Sequence, residues 1–304
     1  MPQHAFVTAD VFTDRPFGGN QLAVFPDAAL QPETMQRLTA ELHLSETVFV
    51  LPPDNPAHTH RLRIFTPTME LPFAGHPTVG TALVLAGTGR LGPIDRRLDI
   101  TFEEGVGPVP VTIERDAAGG LRATLTSPIV PRQMPDPFDA ALVAAAVGLD
   151  AAALDPAVAG GIFSAGVSFA VLPVRPERLS AAAVDLALWR SHLAGTAMQH
   201  LYLAASDDWA AGRTARVRMF APAMGIVEDP ATGAAAAGFV GFLAARQRPA
   251  DGVTHWTLSQ GAELGRPSRI DISAEILDGK LVAARVGGTA VLMSHGSFEL
   301  PEGA

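Results

Sequence analysis

Residues 63–82 read RIFTPTMELPFAGHPTVGTA, and residues 218–235 read RMFAPAMGIVEDPATGAA. Laid over one another, they share an Arg-x-Phe-x-Pro-x-Met opening and, two residues out of step, a proline that leads into a run of small residues. The offset is 155 residues at the start and 153 once His76-Pro77 lies on Asp229-Pro230. Self-similarity of this kind marks a duplicated unit. The match extends in both directions: GNQLAVFP from Gly19 lies over GVSFAVLP from Gly166, TFEEGVGPVPVTIE around Gly105 resembles LSQGAELGRPSRIDIS around Gly261, and LRATL from Leu121 parallels LVAAR from Leu281. The spacing drifts from 147 to 160 residues, as loop insertions and deletions would produce. Two units of roughly 150 residues are expected. The Pro-rich stretch SPIVPRQMPDPF at 127–138 reads as their linker. This divides the chain into residues 1–128 and 129–286, with the tail 287–304 expected to cross back and add a strand to the first unit.

Each unit alternates short strands with two helical segments. The first helices are PETMQRLTAELH (32–43) and SAAAVDLALWRSH (180–192); the second are PTVGTALVLAG (77–87) and PATGAAAAGFVGFLAAR (230–246). The second helix of each pair is apolar on every side, which suits the middle of a domain rather than its surface. The expected fold is therefore α+β, with two similar domains related by a pseudo-twofold, each a barrel-like mixed sheet wrapped around a central apolar helix.

Composition removes several classes of function. Among 304 residues there is no cysteine, so disulfide frameworks, thiolate metal sites and cysteine nucleophiles are excluded. A net charge of −9 and the lack of any Lys/Arg cluster argue against nucleic acid as a partner. The opening residues MPQHAFVTAD lack the pattern of a secretion signal, making a cytoplasmic protein the expectation. The uncharged stretch from Pro156 to Val174 is interrupted by Gly, Ser and Pro and reads as two strands joined by a turn, so no membrane association is expected.

The chemistry is expected where the units match. Proline is favoured in the first turn of a helix, which puts His76 and Asp229 at the N-caps of the two central helices. Unpaired N–H groups and the positive end of the helix dipole gather there and suit a carboxylate or an enolate oxygen. If the pseudo-twofold brings the two helix starts together, His76 and Asp229 face one small ligand. Aspartate at an N-cap is commonplace when taken alone; the equivalence of the two positions is what points to function. Glu46, in SETVFVL, stands at the edge of an apolar run. There it is either a solvated turn residue or a partly desolvated carboxyl with a raised pKa, suited to proton transfer.

The stretches FGGNQLAVF (17–25), SETVFV (45–50), 63–82, MFAPAMGIVEDPATGAA (219–235) and QGAELGRPSRI (260–270) together resemble the phenazine-biosynthesis isomerase (PhzF-like) family, whose fold is shared with diaminopimelate epimerase. The resemblance implies a homodimer that isomerises a small unsaturated carboxylic acid without metal or cofactor, in a cleft between its domains; the best-known member acts on trans-2,3-dihydro-3-hydroxyanthranilate. It also implies that Glu46 shuttles the proton while His76 and Asp229 position the substrate. Asn20 and Ser45 would contribute to binding, and the N–H groups of Gly75, His76, Gly233 and Ala234 would hold anionic oxygens. The family usually carries serine where this chain has Ala234, so a side-chain donor is lost and phenazine synthesis itself is not carried over. A ligand-binding or regulatory protein without turnover is the alternative. Relatives of this fold that racemise amino acids use paired thiols, which this chain lacks. GTGRLG (87–92) has the letters of a dinucleotide fingerprint but follows a helix rather than a strand, and reads as a helix stop. His58 and His60 read as a surface pair without a carboxylate to complete a metal site. Trp189, Trp209 and Trp256 read as packing residues.

Overall fold

The computed structural model describes residues 2–27 and 30–301. The chain forms two compact units, one of residues 1–128 with 287–304 and one of residues 129–286.

The first unit contains β1 (Gln3–Val11), β2 (Asn20–Phe25), α1 (Pro32–Leu42), β3 (Glu46–Leu51), β4 (His60–Phe65), β5 (Glu70–Leu71), α2 (Gly75–Gly87), β6 (Arg97–Glu104), β7 (Gly107–Arg115) and β8 (Leu121–Thr126). β1 and β2 are antiparallel, β2 and β3 parallel, β3 and β4 antiparallel, β4 and β6 parallel, and β6, β7 and β8 antiparallel. Residues of the tail form a further strand, β18 (Ala290–Glu299), antiparallel to β1.

The second unit contains β9 (Arg132–Gln133), α3 (Ala140–Ala146), β10 (Gly161–Ser164), β11 (Ser168–Pro173), α4 (Leu186–His192), β12 (Leu201–Ala205), β13 (Thr214–Ala221), β14 (Ile226–Asp229), α5 (Gly233–Gln247), β15 (Gly252–Gln260), β16 (Ser268–Leu277) and β17 (Lys280–Gly288). Its ladder repeats the first: β10 and β11 antiparallel, β11 and β12 parallel, β12 and β13 antiparallel, β13 and β15 parallel, β15 and β16 antiparallel. Parallel neighbours need a crossover connection, and the intervening helices supply it.

Both sheets have two covered faces. On the inner face of the first lies α2, buried from Gly75 to Leu85, in contact with strands including β1, β2, β3 and β8. α5 occupies the same place in the second unit and is buried almost throughout its first three turns. Neither helix carries a polar stripe because neither has a solvent face. The outer faces carry separate apolar clusters. Phe25, Phe49 and Phe65 pack with Met35 and Leu38 of α1. Leu201, Leu203 and Phe220 pack with Val143 and Ala144 of α3 and Trp189 of α4. Alternation along each strand thus decides which residues reach the helix: Glu46, Val48 and Val50 face inward while Phe49 and Leu51 face out.

Several boundaries differ from those read in the sequence. The segment 180–192 is α-helical only from Leu186, because the Asp185 side chain accepts hydrogen bonds from the N–H groups of Ala187 and Leu188 and starts the helix there. The Pro-rich stretch 127–138 contains β9, which pairs with β10. No helix among the described residues is long and apolar enough to cross a membrane.

Candidate active site

In the first unit, three side chains from three elements meet at the start of α2. Gly19 precedes Asn20 with φ at +62°, and a Cβ there would lie 2.2 Å from the carbonyl oxygen of Val11, so only glycine makes this turn. Asn20 then opens β2, Glu46 opens the parallel β3, and His76 is the second residue of α2. All are buried: Asn20 is 1% exposed, Glu46 8% and His76 3%. Asn20 Nδ2 lies 3.4 Å from His76 Nδ1, and His76 Nε2 lies 3.5 Å from Glu46 Oε2. Burial lowers the His76 pKa to about 3, against a main-chain contact with Gln21 that raises it, so the ring is neutral at ordinary pH. The Asn20 amide approaches Nδ1, while Nε2 faces the Glu46 carboxyl. A separation of 3.5 Å is long for a hydrogen bond and leaves the pair a dipole beside a carboxyl rather than an ion pair.

His76 and Asp229 are not N-caps, contrary to the sequence expectation. The cap of α2 is Ala74 and that of α5 is Thr232. The first helical bond runs from Thr78 N–H to Ala74 C=O, so the helix begins before Pro77, whose missing N–H is harmless in the first turn. In the second unit, Pro230 lies in a loop and the helix begins only at Gly233. Asp229 instead ends β14, paired with Met219 of β13.

The loop from Asp229 to Thr232 is held by a residue the sequence reading did not single out. Gln260 Nε2 donates to Asp229 C=O at 2.8 Å and to Thr232 Oγ1 at 3.0 Å, while its Oε1 accepts from Thr232 N–H at 3.2 Å. Ser268 Oγ donates to Pro230 C=O at 2.9 Å. Thr232 Oγ1 in turn donates to Asp229 Oδ2 at 2.5 Å, which fixes the carboxylate's direction. Of the remaining expected residues, Ser45 is half-buried in the bend before β3, and Gly75, Gly233 and Ala234 stand in the first turns of α2 and α5. The N–H groups of Gly75 and His76, and of Gly233 and Ala234, lack intrahelical acceptors at the positive ends of two buried helices.

A second carboxyl in the first unit was also missed. Glu104 ends β6, where Ile100, Phe102 and Glu104 alternate onto the buried face, a period-2 signal present in RLDITFEE. Thr78 Oγ1 lies 2.6 Å from Glu104 Oε1 and 2.8 Å from Ala74 C=O. One hydroxyl proton serves only one of these oxygens; a protonated Glu104 supplies the other. Burial raises the Glu104 pKa to about 8, against opposing hydrogen bonds from Thr78 and the Ala74 main chain, in agreement with a neutral acid. His58 also departs from expectation: its Nδ1 sits 2.8 Å from Glu103 Oε1, a partner 45 residues away that local sequence does not reveal. Even so, no group of three potential ligands that could hold a metal ion occurs among the described residues.

Two sheet-wrapped central helices, each with first-turn N–H donors lacking intrahelical acceptors and titratable side chains near its start, define the class of protein: an α+β protein of the epimerase-like fold. Residues 9–296 match the family model of phenazine biosynthesis-like proteins (PhzC-PhzF), and the chain belongs to that family. It is 38% identical to an uncharacterized isomerase of Mesorhizobium japonicum, over 98% of this chain and 99% of that one. It is 36% identical to the trans-2,3-dihydro-3-hydroxyanthranilate isomerase of Pseudomonas aeruginosa, over 96% of this chain and 98% of that one. Among solved structures, a PhzF-family protein of Bacillus anthracis superposes with a TM-score of 0.86 at 24% identity, covering 99% of this chain and all of that one. A hydroxyproline epimerase of Agrobacterium vitis shares the fold with a TM-score of 0.65 at 12% identity, covering 98% of this chain and 91% of that one.

Proposed function

We propose that this isomerase moves a proton between two carbons of a small unsaturated carboxylic acid, and that Glu46 carries it. The observation that supports this reading is the buried trio at the start of α2: Glu46 with Nε2 of a neutral imidazole 3.5 Å away and Asn20 behind the ring. Ionised Glu46 removes a proton from a carbon conjugated with the substrate carboxylate. The C–H electron pair passes into the conjugated system, and charge accumulates on the carboxylate oxygens. First-turn N–H groups at a helix start stabilise that charge. The protonated Glu46 then returns its proton to a different carbon, and the double bonds shift in consequence, with no net change in protons or electrons. His76 borders Glu46 and shapes the site without exchanging a proton itself, because its ring stays neutral.

Asp229 is assigned to a polar substituent of the same substrate, such as an amine or hydroxyl; this assignment rests on the sequence repeat that equates it with His76. The substrate class follows the relatives that act on trans-2,3-dihydro-3-hydroxyanthranilate. Ala234, which offers no hydroxyl, favours a second reading in which the site binds such acids without turnover. Incubation with trans-2,3-dihydro-3-hydroxyanthranilate and related dienoic acids in deuterium oxide separates the two. Enzyme-dependent deuterium at carbon, lost in Glu46→Gln, is the expected result. Tight binding of these acids with no exchange would leave only the binding protein.

A further inference from the structure

The repeated ladder sets residues of β2, β3 and β4 against counterparts at β11, β12 and β13. In the first unit, Ala23 of β2 lies beside Thr47 of β3, and Thr47 beside Phe65 of β4. In the second, Ala170 of β11 lies beside Leu201 of β12, and Leu201 beside Phe220 of β13. Phe65 and Phe220 are the same residue of the repeated Arg-x-Phe motif, and Ala23 and Ala170 are the same residue of the repeated Ala-Val. Thr47 therefore corresponds to Leu201, and the residue before each corresponds too: Glu46 to His200.

The surroundings of His200 match that placement. It is 6% exposed, and its ring lies 5.8 Å from that of Phe169, a residue that also approaches Gly238 of α5, so the imidazole is on the face turned toward the central helix. Its main-chain carbonyl accepts a hydrogen bond from Ala170 N–H, which holds its backbone in the ladder. Nδ1 is buried without a hydrogen-bond partner. Two residues on, Tyr202 shares the inner face and is fully buried; it pairs with Met219, which in turn pairs with Asp229. The Tyr202 hydroxyl also lacks a partner, and burial followed by the charge of Asp229 raises its pKa. Buried polar atoms left unpaired are destabilising by about 1–3 kcal/mol each. Two of them lie on the face that carries Asp229.

We propose that His200 contacts the ligand as the second unit's counterpart of Glu46, accepting or donating a hydrogen bond at Nδ1 to a hydroxyl or amino substituent, and so selects carboxylic acids that carry such a group over purely hydrocarbon ones. The arrangement of the first unit is thereby exchanged: there a carboxyl opens the strand and an imidazole lies in the first turn of the helix, whereas in the second unit an imidazole immediately precedes the strand and a carboxylate precedes the helix. Burial lowers the His200 pKa to about 4, so the group acts as a neutral hydrogen-bonding partner and leaves charge pairing to Asp229. The inference deepens the reading of the site given above and rests on it for the class of ligand.

Binding of 3-hydroxyanthranilate and of benzoate to the full chain tests it, since the two share a carboxylate and a ring and differ in the substituents. Nitrogen NMR of histidine-labelled wild-type protein should show the His200 Nδ1 resonance shifted by 3-hydroxyanthranilate and not by benzoate. His200→Leu should weaken 3-hydroxyanthranilate binding about tenfold and leave benzoate binding unchanged, with partial recovery in His200→Gln. An unmoved Nδ1 resonance on saturation with 3-hydroxyanthranilate, or equal weakening of both ligands in His200→Leu, overturns the inference. Deuterium exchange at carbon reads the Glu46 assignment separately: exchange with an indifferent His200 removes only this inference, and selective binding through His200 without exchange removes only the isomerisation chemistry.

Discussion

Replacing Glu104 by glutamine should make the protein more tolerant of alkaline pH. In the folded chain Glu104 keeps its proton up to about pH 8, whereas in the unfolded chain it releases it near the ordinary value of 4.5. Between those limits the folded state binds more protons than the unfolded one, so stability falls as pH rises. The contribution is fully present below 4.5 and lost as pH passes about 8. Each pKa unit is worth about 1.4 kcal/mol, which sets a ceiling near 5 kcal/mol if the site stays rigid. Side-chain rearrangement and water entry reduce it, and about 2–3 kcal/mol is the expected loss between pH 5 and 8. Glutamine keeps the shape, offers an N–H to Thr78 Oγ1 and an oxygen to the Ala74 N–H, and does not ionise. His76 titrates in the opposite sense, losing its contribution as pH falls from 6.5 toward 3, and is common to both proteins, so it cancels in the comparison. Urea unfolding at pH 5, 6, 7 and 8 should be followed by far-ultraviolet circular dichroism, because all three tryptophans and the single tyrosine lie in the second unit and are blind to the first. Wild-type and Glu104→Gln stabilities that run parallel within about 0.5 kcal/mol over this range would refute the neutral-acid assignment.

Glu46→Gln should reduce turnover by at least about a hundredfold with little effect on binding, whereas Asp229→Asn should act mainly on KM; steady-state kinetics on a substrate identified by deuterium exchange checks both. Gly19→Ala forces a Cβ to 2.2 Å from the Val11 carbonyl at a φ of +62°. A loss of about 2–3 kcal/mol in urea unfolding is expected, together with a displaced Asn20. Gln260→Leu removes three hydrogen bonds that hold the loop 229–232. Amide exchange at Thr232 should accelerate while the strands of the first unit keep their protection.

Much of the fold was legible in residues 63–82 and 218–235 alone, since a run such as GAAAAGFVGFLAA has no polar face and belongs inside a sheet. The chain's membership of an isomerase family was legible in the same stretches. Helix starts were less so: Pro77 and Pro230 look alike in sequence, yet one is helical and the other lies in a loop that Gln260 clamps from 30 residues away. Strands of two to four residues such as β5, β9 and β14 are too short to show a period and exist through pairing with longer neighbours. Glu104 did follow the alternation of β6, but a carboxyl among apolar positions reads as an exposed end until its buried partners Thr78 and Ala74 are seen. The counterpart relation between Glu46 and His200 required strand register, because SETVFV and QHLYLA share no residue type at those positions.

The pairing of β1 with β18 joins residues as far apart as Gln3 and Glu299, whose side chains are hydrogen-bonded, while Leu292 packs against the position of Gly87 in α2. During synthesis, the ribosome must therefore deliver the whole second unit before the first can close its sheet. Unit 2 is free to fold as it emerges, while α2, apolar on all sides, waits with an open flank. The apolar flank of α2 that Leu292 covers is therefore uncovered until the last strand is made.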